Sequence, residues 1–380
     1  MHVGLALLTF FPGRVGGTET VVRNLLDRFA VGEGPERVSA LVNRHGTGPL
    51  AEYARGPVRL REVRSYRAGD SMRTRALAMA FARAAPGVAA RDAPRDLDVV
   101  HYAVTIPIPR VTAPSVVTLH DVQHHEMPEL FSPFERRFRR WAYDGSARAA
   151  DLVITPSEHA RAGAIGVLGI APGKVVAIPH GVDHARFRPE PGPDGDALAE
   201  LDLPPRYLVY PANLWPHKNH ERLLEGLARA ADRSIALVLC GADYGRLGAL
   251  QETARRLGVA DRLRHLGFVP APALPAILRR AAGMVFPSLF EGFGTPPLEA
   301  MACGCPVATS TAGSLAEVVG DAALTFDPRD PDAIAGAIDR LAGDDALRER
   351  LRSAGVERAA RFTWDACAQR HHAAYRSVAA

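Results

Sequence analysis

Short apolar runs alternate along this chain with segments whose apolar residues recur at helical spacing. Val3–Phe10 is an apolar run that predicts a first buried parallel strand, and the apolar positions from Val21 to Phe29 then follow one face of a helix. Further strands are predicted at Arg37–Val42, Val58–Val63, Val99–Ala103, Ser115–Leu119, Asp151–Thr155 and Val175–Pro179. Repeated strand–helix alternation predicts an α/β domain built on a doubly wound parallel sheet.

The alternation is interrupted once and then begins again. Arg188–Pro205 is rich in proline, glycine and aspartate, which favours a linker. Beyond it, strands are predicted at Tyr207–Pro211, Ile235–Gly241, Met284–Pro287 and Pro306–Thr309, and Leu263–Val269 is predicted as a strand that leads into a turn. The pattern therefore predicts a second doubly wound domain, and a chain of 380 residues is long enough to bury two cores.

Composition and charge exclude several classes of protein. The net charge of +4 comes without a concentrated basic block, so nucleic acid is not a predicted partner. No run of eighteen apolar residues predicts a spanning helix, and no basic leader precedes the first strand, so we expect a cytoplasmic location. The four cysteines lack a second pair at metal-binding spacing, which predicts buried thiols and no metal.

The stretch Met284–Ser310 reads as strand, glycine loop, helix and strand. Pro296 and Pro297 stand where a helix would begin, because proline is tolerated in the first turn. Glu291 lies before the loop and Glu299 lies in the first helical turn. A glycine loop that leads into a helix presents free amides and a positive helix end to a ligand.

Each of these two carboxylates has an ordinary explanation when it is taken singly. The helix dipole alone favours an acidic residue at Glu299, and Glu291 would suit a solvated loop. Taken together on a glycine loop, they favour a site. Carboxylates suit the hydroxyls of a sugar or ribose, and the amides suit a phosphate or a developing charge.

The segment FEGFGTPPLEAMACGCPV resembles the glutamate–seven–glutamate motif of the family-four retaining glycosyltransferases, which are bacterial group-1-type enzymes with the GT-B fold. The resemblance implies two Rossmann-like domains that face a central cleft. It also implies that Glu291 approaches the donor sugar as a catalytic residue and that Glu299 holds the nucleotide ribose. The loop residues implied to bind the donor with them are Gly292, Phe293, Gly294 and Thr295.

A glycine pair lies between the first strand and its helix. Gly16 and Gly17 would put backbone amides at the carboxyl end of that strand, where open α/β sheets bind ligands, although a plain turn would explain them as well. FFPGRVGGTET resembles the family's first loop, which implies that both glycines lie near the donor. The segment is not a GxGxxG fingerprint, so a dinucleotide is not predicted.

A histidine-rich segment, HDVQHH, follows the strand Ser115–Leu119. It imitates a zinc motif that requires one continuous helix, but here it follows a strand directly and Pro128 limits any helix, so a zinc site is the weaker interpretation. The segment resembles the family's strand-end histidine, which implies that His120 is a catalytic residue near the donor sugar, with Asp121 orienting it. The alternative is a structural histidine in a turn.

The junction Asn213–Asn219 follows the strand Tyr207–Pro211. Lys218 there is a suitable point charge for a diphosphate, although alone it would be an ordinary surface residue. The family resemblance implies a donor-binding and catalytic lysine at this place, preceded by an arginine. This sequence has Asn213 at the arginine position, and His217 or Arg14 would have to compensate.

Three further residues complete the implied donor site. In the family, backbone near a glycine at this point of the second domain contacts the nucleobase, which assigns Gly267, Phe268 and Val269. Core packing would explain Phe268 equally well.

Two other charged segments have competing explanations. The arginine-rich helix Pro133–Arg148 would suit an anionic acceptor or a membrane, or would be a solvated face whose arginines lie along apolar surface. Asp96 and Asp98 form a DxD, but they enter the strand Val99–Ala103 and predict no metal.

The resemblance therefore implies a metal-independent retaining hexosyltransferase without a cofactor. Its donor would be a GDP-, UDP- or dTDP-linked sugar, and its acceptor a hydroxyl of a glycan, a lipid-linked or a natural-product molecule, with peripheral membrane contact as an option. Predicted domains are 1–186 on the acceptor side, with helix 363–380 packed back on it, and 187–362 for the donor. The alternatives are a nucleotide-sugar epimerase and a non-catalytic nucleotide-sugar-binding protein. The acceptor-binding residues are not predicted.

Overall fold

A computed structural model describes residues 1–13, 16–66, 72–192, 198, 201–270 and 272–379. Arg14, one of the two residues that would compensate for Asn213, lies outside the described residues, as does much of the predicted linker. The chain divides into two compact units, residues 1–181 with 364–380 and residues 182–363. The main part of the first unit thus ends at residue 181, where the sequence predicted residue 186. The second unit ends at residue 363, where the sequence predicted residue 362.

Within the described residues of the first unit, seven parallel strands form one sheet in the order β3-β2-β1-β4-β5-β6-β7. These strands are β1 His2–Leu7, β2 Arg37–Val42, β3 Val58–Glu62, β4 Val99–Tyr102, β5 Ser115–Thr118, β6 Leu152–Thr155 and β7 Val175–Ala177. All residues of β1, β4 and β6 are buried, which explains why the sequence shows them as continuous apolar runs.

Helices connect these strands and cover both faces of the sheet. In the first unit they are α1 Gly17–Ala30, α2 Arg44–Thr47, α3 Met72–Ala84, α4 Pro86–Ala90, α5 Gln123–Glu126, α6 Pro133–Arg139, α7 Gly145–Ala149 and α8 Glu158–Gly166. Residues Arg140–Asp144 form a π-helical segment between α6 and α7. The single helix predicted at Pro133–Arg148 is thus continuous but contains this π-segment, a feature that is frequent at functional sites.

Within the described residues of the second unit, six parallel strands form a sheet in the order β10-β9-β8-β11-β12-β13. They are β8 Tyr207–Pro211, β9 Ala236–Cys240, β10 Leu263–His265, β11 Gly283–Phe286, β12 Val307–Ser310 and β13 Leu324–Phe326. The helices are α9 His220–Arg229, α10 Leu247–Arg256, α11 Ala273–Arg280, α12 Thr295–Ala302, α13 Leu315–Val319, α14 Pro331–Gly343 and α15 Asp345–Ala359. In such sheets the ligand crevice lies beyond the carboxyl ends of the two central strands where the order reverses, here β8 and β11.

The final helix, α16 Trp364–Arg376, belongs to the first unit. Trp364 and Tyr375 are buried in the same apolar cluster as β1 and α1. The Tyr375 hydroxyl lies 2.8 Å from His101 Nδ1, within the sheet. Helix α16 therefore packs in the same apolar core as β1 and α1.

The segment Leu263–Val269 was predicted as a strand that leads into a turn. The strand is β10, which ends at His265, and the turn follows it. Gly267 has a φ of 67°, a left-handed conformation that ends the extended backbone and that glycine adopts without strain.

Candidate functional site

An ion pair joins the loops that follow the two central strands of the second unit. Lys218 Nζ lies 2.5 Å from Glu291 Oε1, and the two side chains are 13% and 14% exposed. Lys218 follows β8 and Glu291 follows β11, so the parallel sheet brings them to the same edge. Two residues predicted separately as catalytic are thus in direct contact where such folds bind ligands.

Asn219 fixes the loop that carries Lys218. It has a φ of 63°, which asparagine tolerates better than most residues, and it begins α9. Its side-chain amide donates to the carbonyls of Pro287 at 3.0 Å and Pro328 at 2.7 Å. The Tyr210 hydroxyl also donates to the Lys218 carbonyl at 2.7 Å. The lysine backbone is therefore held at several points.

Ser314 fixes the backbone of Glu291 in a comparable way. Its hydroxyl lies 3.0 Å from the Glu291 carbonyl and 2.8 Å from the Phe293 carbonyl, and its amide donates to the Glu291 carbonyl at 3.2 Å. Gly313 makes this approach possible, since a Cβ there would lie 2.6 Å from the Glu291 carbonyl oxygen. The loop is thus positioned by main-chain contacts that a larger residue would prevent.

The glycine loop leads into helix α12 as the sequence predicted. Gly294 precedes the helix with a φ of 97°, and a Cβ there would lie 2.6 Å from Leu315. Pro296 stands in the first turn, and Phe293 is buried in the core of the unit. Gly292 and Thr295 are half-buried. The first turn of α12 therefore offers amides and a positive helix end beside Glu291.

Glu299 lies on α12 and is half-buried. Burial raises the pKa of its carboxyl group to about 7, an effect that the nearby Arg186 opposes and Asp183 supports. A carboxyl group without full hydration is costly to ionise unless a ligand or a cation compensates. Such a group is a candidate for binding ligand hydroxyls.

Asn213 connects two loops at the same edge of the sheet. Its side-chain oxygen accepts a hydrogen bond from the Ala242 amide at 2.8 Å. A Cβ on Gly241, which follows β9, would lie 2.8 Å from the backbone nitrogen of Asn213. The Asn213 side-chain oxygen is therefore engaged by a loop contact, at the position where the resemblance implied a phosphate-binding arginine.

The loop after β10 exposes an aromatic ring. Phe268 is 86% exposed, so the core-packing alternative for this residue is wrong. Gly267 accepts a hydrogen bond from the Gly241 amide at 2.7 Å, and Val269 is half-buried. An exposed ring beside a well-anchored turn is suited to stacking on a base.

In the first unit, Gly16 and Gly17 form the start of α1. Gly16 has a φ of 56°, and a Cβ on Gly17 would meet no atom within 4 Å. Both glycines are exposed at the carboxyl end of β1. Open space beside the amides of a helix start is compatible with the predicted contact to a phosphate.

His120 follows β5 and precedes α5, so HDVQH does not form one helix and the zinc motif is excluded for His120 and His124 as a pair. Its Nε2 donates to the Ala103 carbonyl at 3.2 Å. Asp121 instead accepts from the Gln123 amide at 2.9 Å, so the expectation that it orients His120 is corrected. Burial lowers the pKa of His120, and the Asp121 charge opposes this effect.

Sequence reasoning missed the residues that support the site. Ser288, beyond β11, has its hydroxyl 3.2 Å from the Tyr210 hydroxyl, and its carbonyl accepts from Ser310 at 2.5 Å. A serine directly after an apolar strand, as at Ser288, was the feature of the sequence that could have indicated such a supporting residue.

The second unit also contains a cavity of about 390 Å³ beside this edge of the sheet. It is lined by Trp215, Asn219, His220, Arg222, Arg246 and Leu289, among others, but not by Lys218 or Glu291. The candidate site is therefore the group of residues around Lys218 and Glu291, and this cavity lies beside it.

No helix among the described residues has the length and apolar character needed to cross a membrane.

Two protein-family models match the chain. "Glycosyltransferase Family 4" matches residues 15–186, and "Glycosyl transferases group 1" matches residues 199–358. O-antigen chain mannosyltransferase B of Escherichia coli is 30% identical over 283 residues, which are 73% of this chain and 74% of that protein.

Solved structures share the fold over nearly the whole chain. Sucrose-phosphate synthase from Thermosynechococcus elongatus has a TM-score of 0.78 at 22% identity and covers 99% of this chain and 98% of its own. Anabaena HepE, solved with UDP and glucose, has a TM-score of 0.75 at 22% identity and covers 99% of this chain and 100% of its own. The two parallel-sheet units thus have the GT-B fold, and these matches do not favour the epimerase or the binding-protein alternative.

Proposed function

Because the chain belongs to the group 1 glycosyltransferases of family 4, we propose that it is a retaining, metal-independent hexosyltransferase. Its donor is a nucleoside-diphosphate sugar, and its acceptor is a hydroxyl group of a glycan, a lipid-linked or a natural-product molecule. The family model that matches residues 199–358 confirms the resemblance of the FEGFGTPPLE motif to this family. The activity is therefore glycosyl transfer, and the roles of single residues are proposed below.

The contact between Lys218 and Glu291 carries the proposal. The two side chains meet at 2.5 Å, beside a glycine loop and a helix start. In the absence of donor each charge compensates the other. A diphosphate bound there attracts Lys218, and Glu291 is then available to the sugar hydroxyls. Donor binding therefore replaces the ion pair between Lys218 and Glu291 by two contacts with the donor. Lys218 contacts the diphosphate, and Glu291 contacts the sugar hydroxyls.

The remaining donor contacts follow from the chemistry of each group. The amides of Gly292 to Thr295 and the positive end of α12 stabilise the diphosphate. Glu299 accepts hydrogen bonds from the ribose hydroxyls. The exposed ring of Phe268 stacks on the base, with Gly267 and Val269 supplying backbone contacts. Asn213 holds the neighbouring loops and contributes no charge.

For the first unit, the family resemblance supports Gly16, Gly17 and His120 as donor-binding residues. Gly16 and Gly17 offer amides at the start of α1, and a Cβ on Gly17 would meet no atom within 4 Å. His120 bears a neutral imidazole, because burial lowers its pKa. Its Nε2–H donates to the Ala103 carbonyl, so Nδ1 can accept a hydrogen bond from a sugar hydroxyl. A neutral ring can bind a sugar hydroxyl without repelling a developing positive charge on the sugar. We propose that His120 binds the hexose of the donor.

The transfer step requires no protein nucleophile. The bond between the sugar's anomeric carbon and the phosphate oxygen breaks, and the electron pair remains on the nucleoside diphosphate. The acceptor oxygen bonds to the same face of that carbon, and its proton moves to the leaving phosphate. Lys218 and the loop amides stabilise the charge on the leaving group, and such electrostatic stabilisation is usually the largest single catalytic contribution.

Donor choice is tested by a panel of GDP, UDP, dTDP and ADP in a thermal-shift experiment, because a ligand that prefers the folded protein raises its stability. The relative named as a mannosyltransferase supports a mannosyl donor, and the neighbour solved with UDP and glucose supports a UDP-sugar. The selected donor is then tested for nucleoside diphosphate release with excess chelator present. No shift with any of these nucleotides would contradict the proposal, and loss of turnover in chelator would contradict metal independence.

A surface of the first unit supports peripheral membrane contact. Phe134 and Trp141 are 79% and 44% exposed, and Arg137 and Arg140 beside them are exposed. Exposed aromatic rings among arginines suit an anionic lipid interface. Vesicles with and without phosphatidylglycerol test this contact. We expect sedimentation with anionic vesicles, reduced in Phe134→Ser, and equal sedimentation with both kinds of vesicle would contradict it.

A further inference from the structure

Two neighbouring histidines of α5 converge on one carboxylate in the first unit. His124 Nε2 lies 2.9 Å from Asp144 Oδ1, and His125 Nε2 lies 2.8 Å from Asp144 Oδ2. Their side chains are 0% and 20% exposed, and that of Asp144 is 1% exposed. The potential ligand atoms of the three residues all lie within 4.8 Å of one another. The zinc motif considered for His120 and His124 did not anticipate this group.

No lysine or arginine forms an ion pair with the carboxylate of this cluster in the part of the chain that the structure describes. The side chain of Asp144 is 1% exposed, and its contacts of this kind are with His124 and His125. A buried carboxylate is costly unless it is compensated, and a bound metal ion would supply a positive charge beside it.

We propose that His124, His125 and Asp144 form a binding site for a divalent transition metal ion, with zinc as the best-suited ion. Two imidazole nitrogens and one carboxylate oxygen are typical ligands of zinc, whereas magnesium and calcium prefer oxygen alone. Water completes the coordination from the side of His125, the more exposed ligand.

The distances require only a small adjustment. Ligands about 2.0–2.2 Å from a tetrahedral zinc ion are about 3.3–3.5 Å apart. The present separations of 2.9 and 2.8 Å would widen by about half an ångström through side-chain rotation. The metal binds each ring through Nε2, and the single proton of the neutral ring is then on Nδ1. A protonated imidazole would have to release one proton to solvent first, so binding weakens as the pH falls.

The ion has a structural role in this proposal. It would connect α5, which begins just after His120, to the π-helical segment that contains Asp144. Its three ligands lie in the first unit, and Lys218 and Glu291 lie in the second. None of the three ligands is a group assigned to the leaving phosphate, so metal-independent transfer does not conflict with this site.

The test uses the full chain without an affinity tag, made metal-free with a chelator under reducing conditions. Equilibrium dialysis with zinc should give one equivalent per chain and a higher melting temperature. Cobalt should give visible absorption bands of a nitrogen- and oxygen-ligated ion without a thiolate charge-transfer band, because the four cysteines are buried elsewhere.

Variants identify the ligands. His125→Gln and Asp144→Asn should lose the stoichiometric metal and the cobalt spectrum, and His45→Gln, a histidine of α2 in the same unit, should keep both. Because Asp144→Asn removes a buried group and can impair folding, the partly exposed His125 provides the decisive variant. Absence of binding in the wild type, or binding that persists in His125→Gln, overturns the proposal and leaves a hydrogen-bonded structural cluster.

Discussion

Lys218 Nζ and Glu291 Oε1 are 2.5 Å apart although 73 positions separate the two residues in the chain. Each side chain is held from its backbone, Lys218 through Asn219 and Tyr210, and Glu291 through Ser314. The ion pair is therefore prepared before a donor binds. Preorganised charges of this kind stabilise a transition state without reorganisation at the moment of reaction.

Replacing Lys218 by alanine should reduce turnover about 10²–10³-fold, since one electrostatic contact to the leaving group is lost. Nucleoside diphosphate binding should weaken as well, which calorimetric titration measures. Lys174 is the chain's other lysine and is exposed, so Lys174→Ala is the matched control and should behave as wild type. Equal turnover in the two variants would contradict the role of Lys218.

Glu291→Gln should separate sugar recognition from nucleotide binding. The amide retains the shape of the side chain but loses the charge that accepts sugar hydroxyls and that pairs with Lys218. We expect turnover to fall about 10²-fold, with the nucleoside diphosphate bound at least as tightly because Lys218 no longer has an internal partner. Weaker binding of the free diphosphate would show that Glu291 holds the nucleotide instead.

Glu299 should make stability depend on pH. Its folded pKa of about 7 exceeds its ordinary value of 4.5, so the native state retains this proton where the unfolded state has lost it. The free energy of unfolding therefore falls, through this group, as the pH rises from about 4.5 to about 7, and the loss is complete above that range. Glu299→Gln should abolish this contribution, and melting temperatures from pH 4.5 to 8 measure it.

The same variant should bind the donor nucleotide more weakly, because an amide replaces the carboxylate assigned to the ribose. Glu349→Gln on α15, which removes an exposed carboxylate, is the control and should show the wild-type pH profile. A Glu299→Gln protein with both the wild-type pH profile and wild-type affinity would contradict the assignment.

Gly313→Ala should disturb the site through the backbone. A Cβ at this position would lie 2.6 Å from the Glu291 carbonyl oxygen, and the residue has a φ of 62°. We expect turnover to fall at least tenfold because Glu291 is displaced. Gly336→Ala on α14 is the matched control, since its Cβ would meet no atom within 4 Å, and it should raise helix stability by up to about 1 kcal/mol. Unchanged turnover in Gly313→Ala would contradict the positioning role.

Phe268→Ala should change binding and leave stability unaltered. The ring is 86% exposed and contributes little to the core, so the melting temperature of the free protein should not change. Loss of stacking on a base should weaken nucleotide binding by about 1–3 kcal/mol, the range for base–aromatic contacts. Phe134→Ala in the first unit removes another exposed ring and should leave nucleotide affinity unchanged. Equal affinity in both variants would exclude stacking by Phe268.

Strand positions could be predicted well because buried parallel strands are continuous apolar runs. β2 and β8 have the predicted bounds, Arg37–Val42 and Tyr207–Pro211. The segment Leu263–Val269 was predicted as a strand leading into a turn, but the residue at which the strand ends, His265, was not predicted. Apolar character alone does not distinguish a strand from the half-buried turn that follows it.

The candidate residues could be found from the sequence, but their partners could not. Asp121 adjoins His120 in the sequence, yet its carboxylate accepts from the Gln123 amide and the His120 ring contacts Ala103. The carbonyl that accepts from His120 lies 17 positions earlier, on the loop after a neighbouring strand. Such a contact depends on strand order, which local spacing does not contain.

The sequence by itself determined the α/β class, the two sheets and the strand-end positions of Lys218, Glu291 and His120, because apolar periodicity and glycine placement are local properties. Only the tertiary structure decided that Lys218 contacts Glu291, that Asn213 is occupied by Ala242, and that burial raises the Glu299 pKa. It also brought Asp144 to His124 and His125. Contacts between distant segments and the desolvation of a charge arise only when the sheets are assembled, since both depend on which residues surround a group in space.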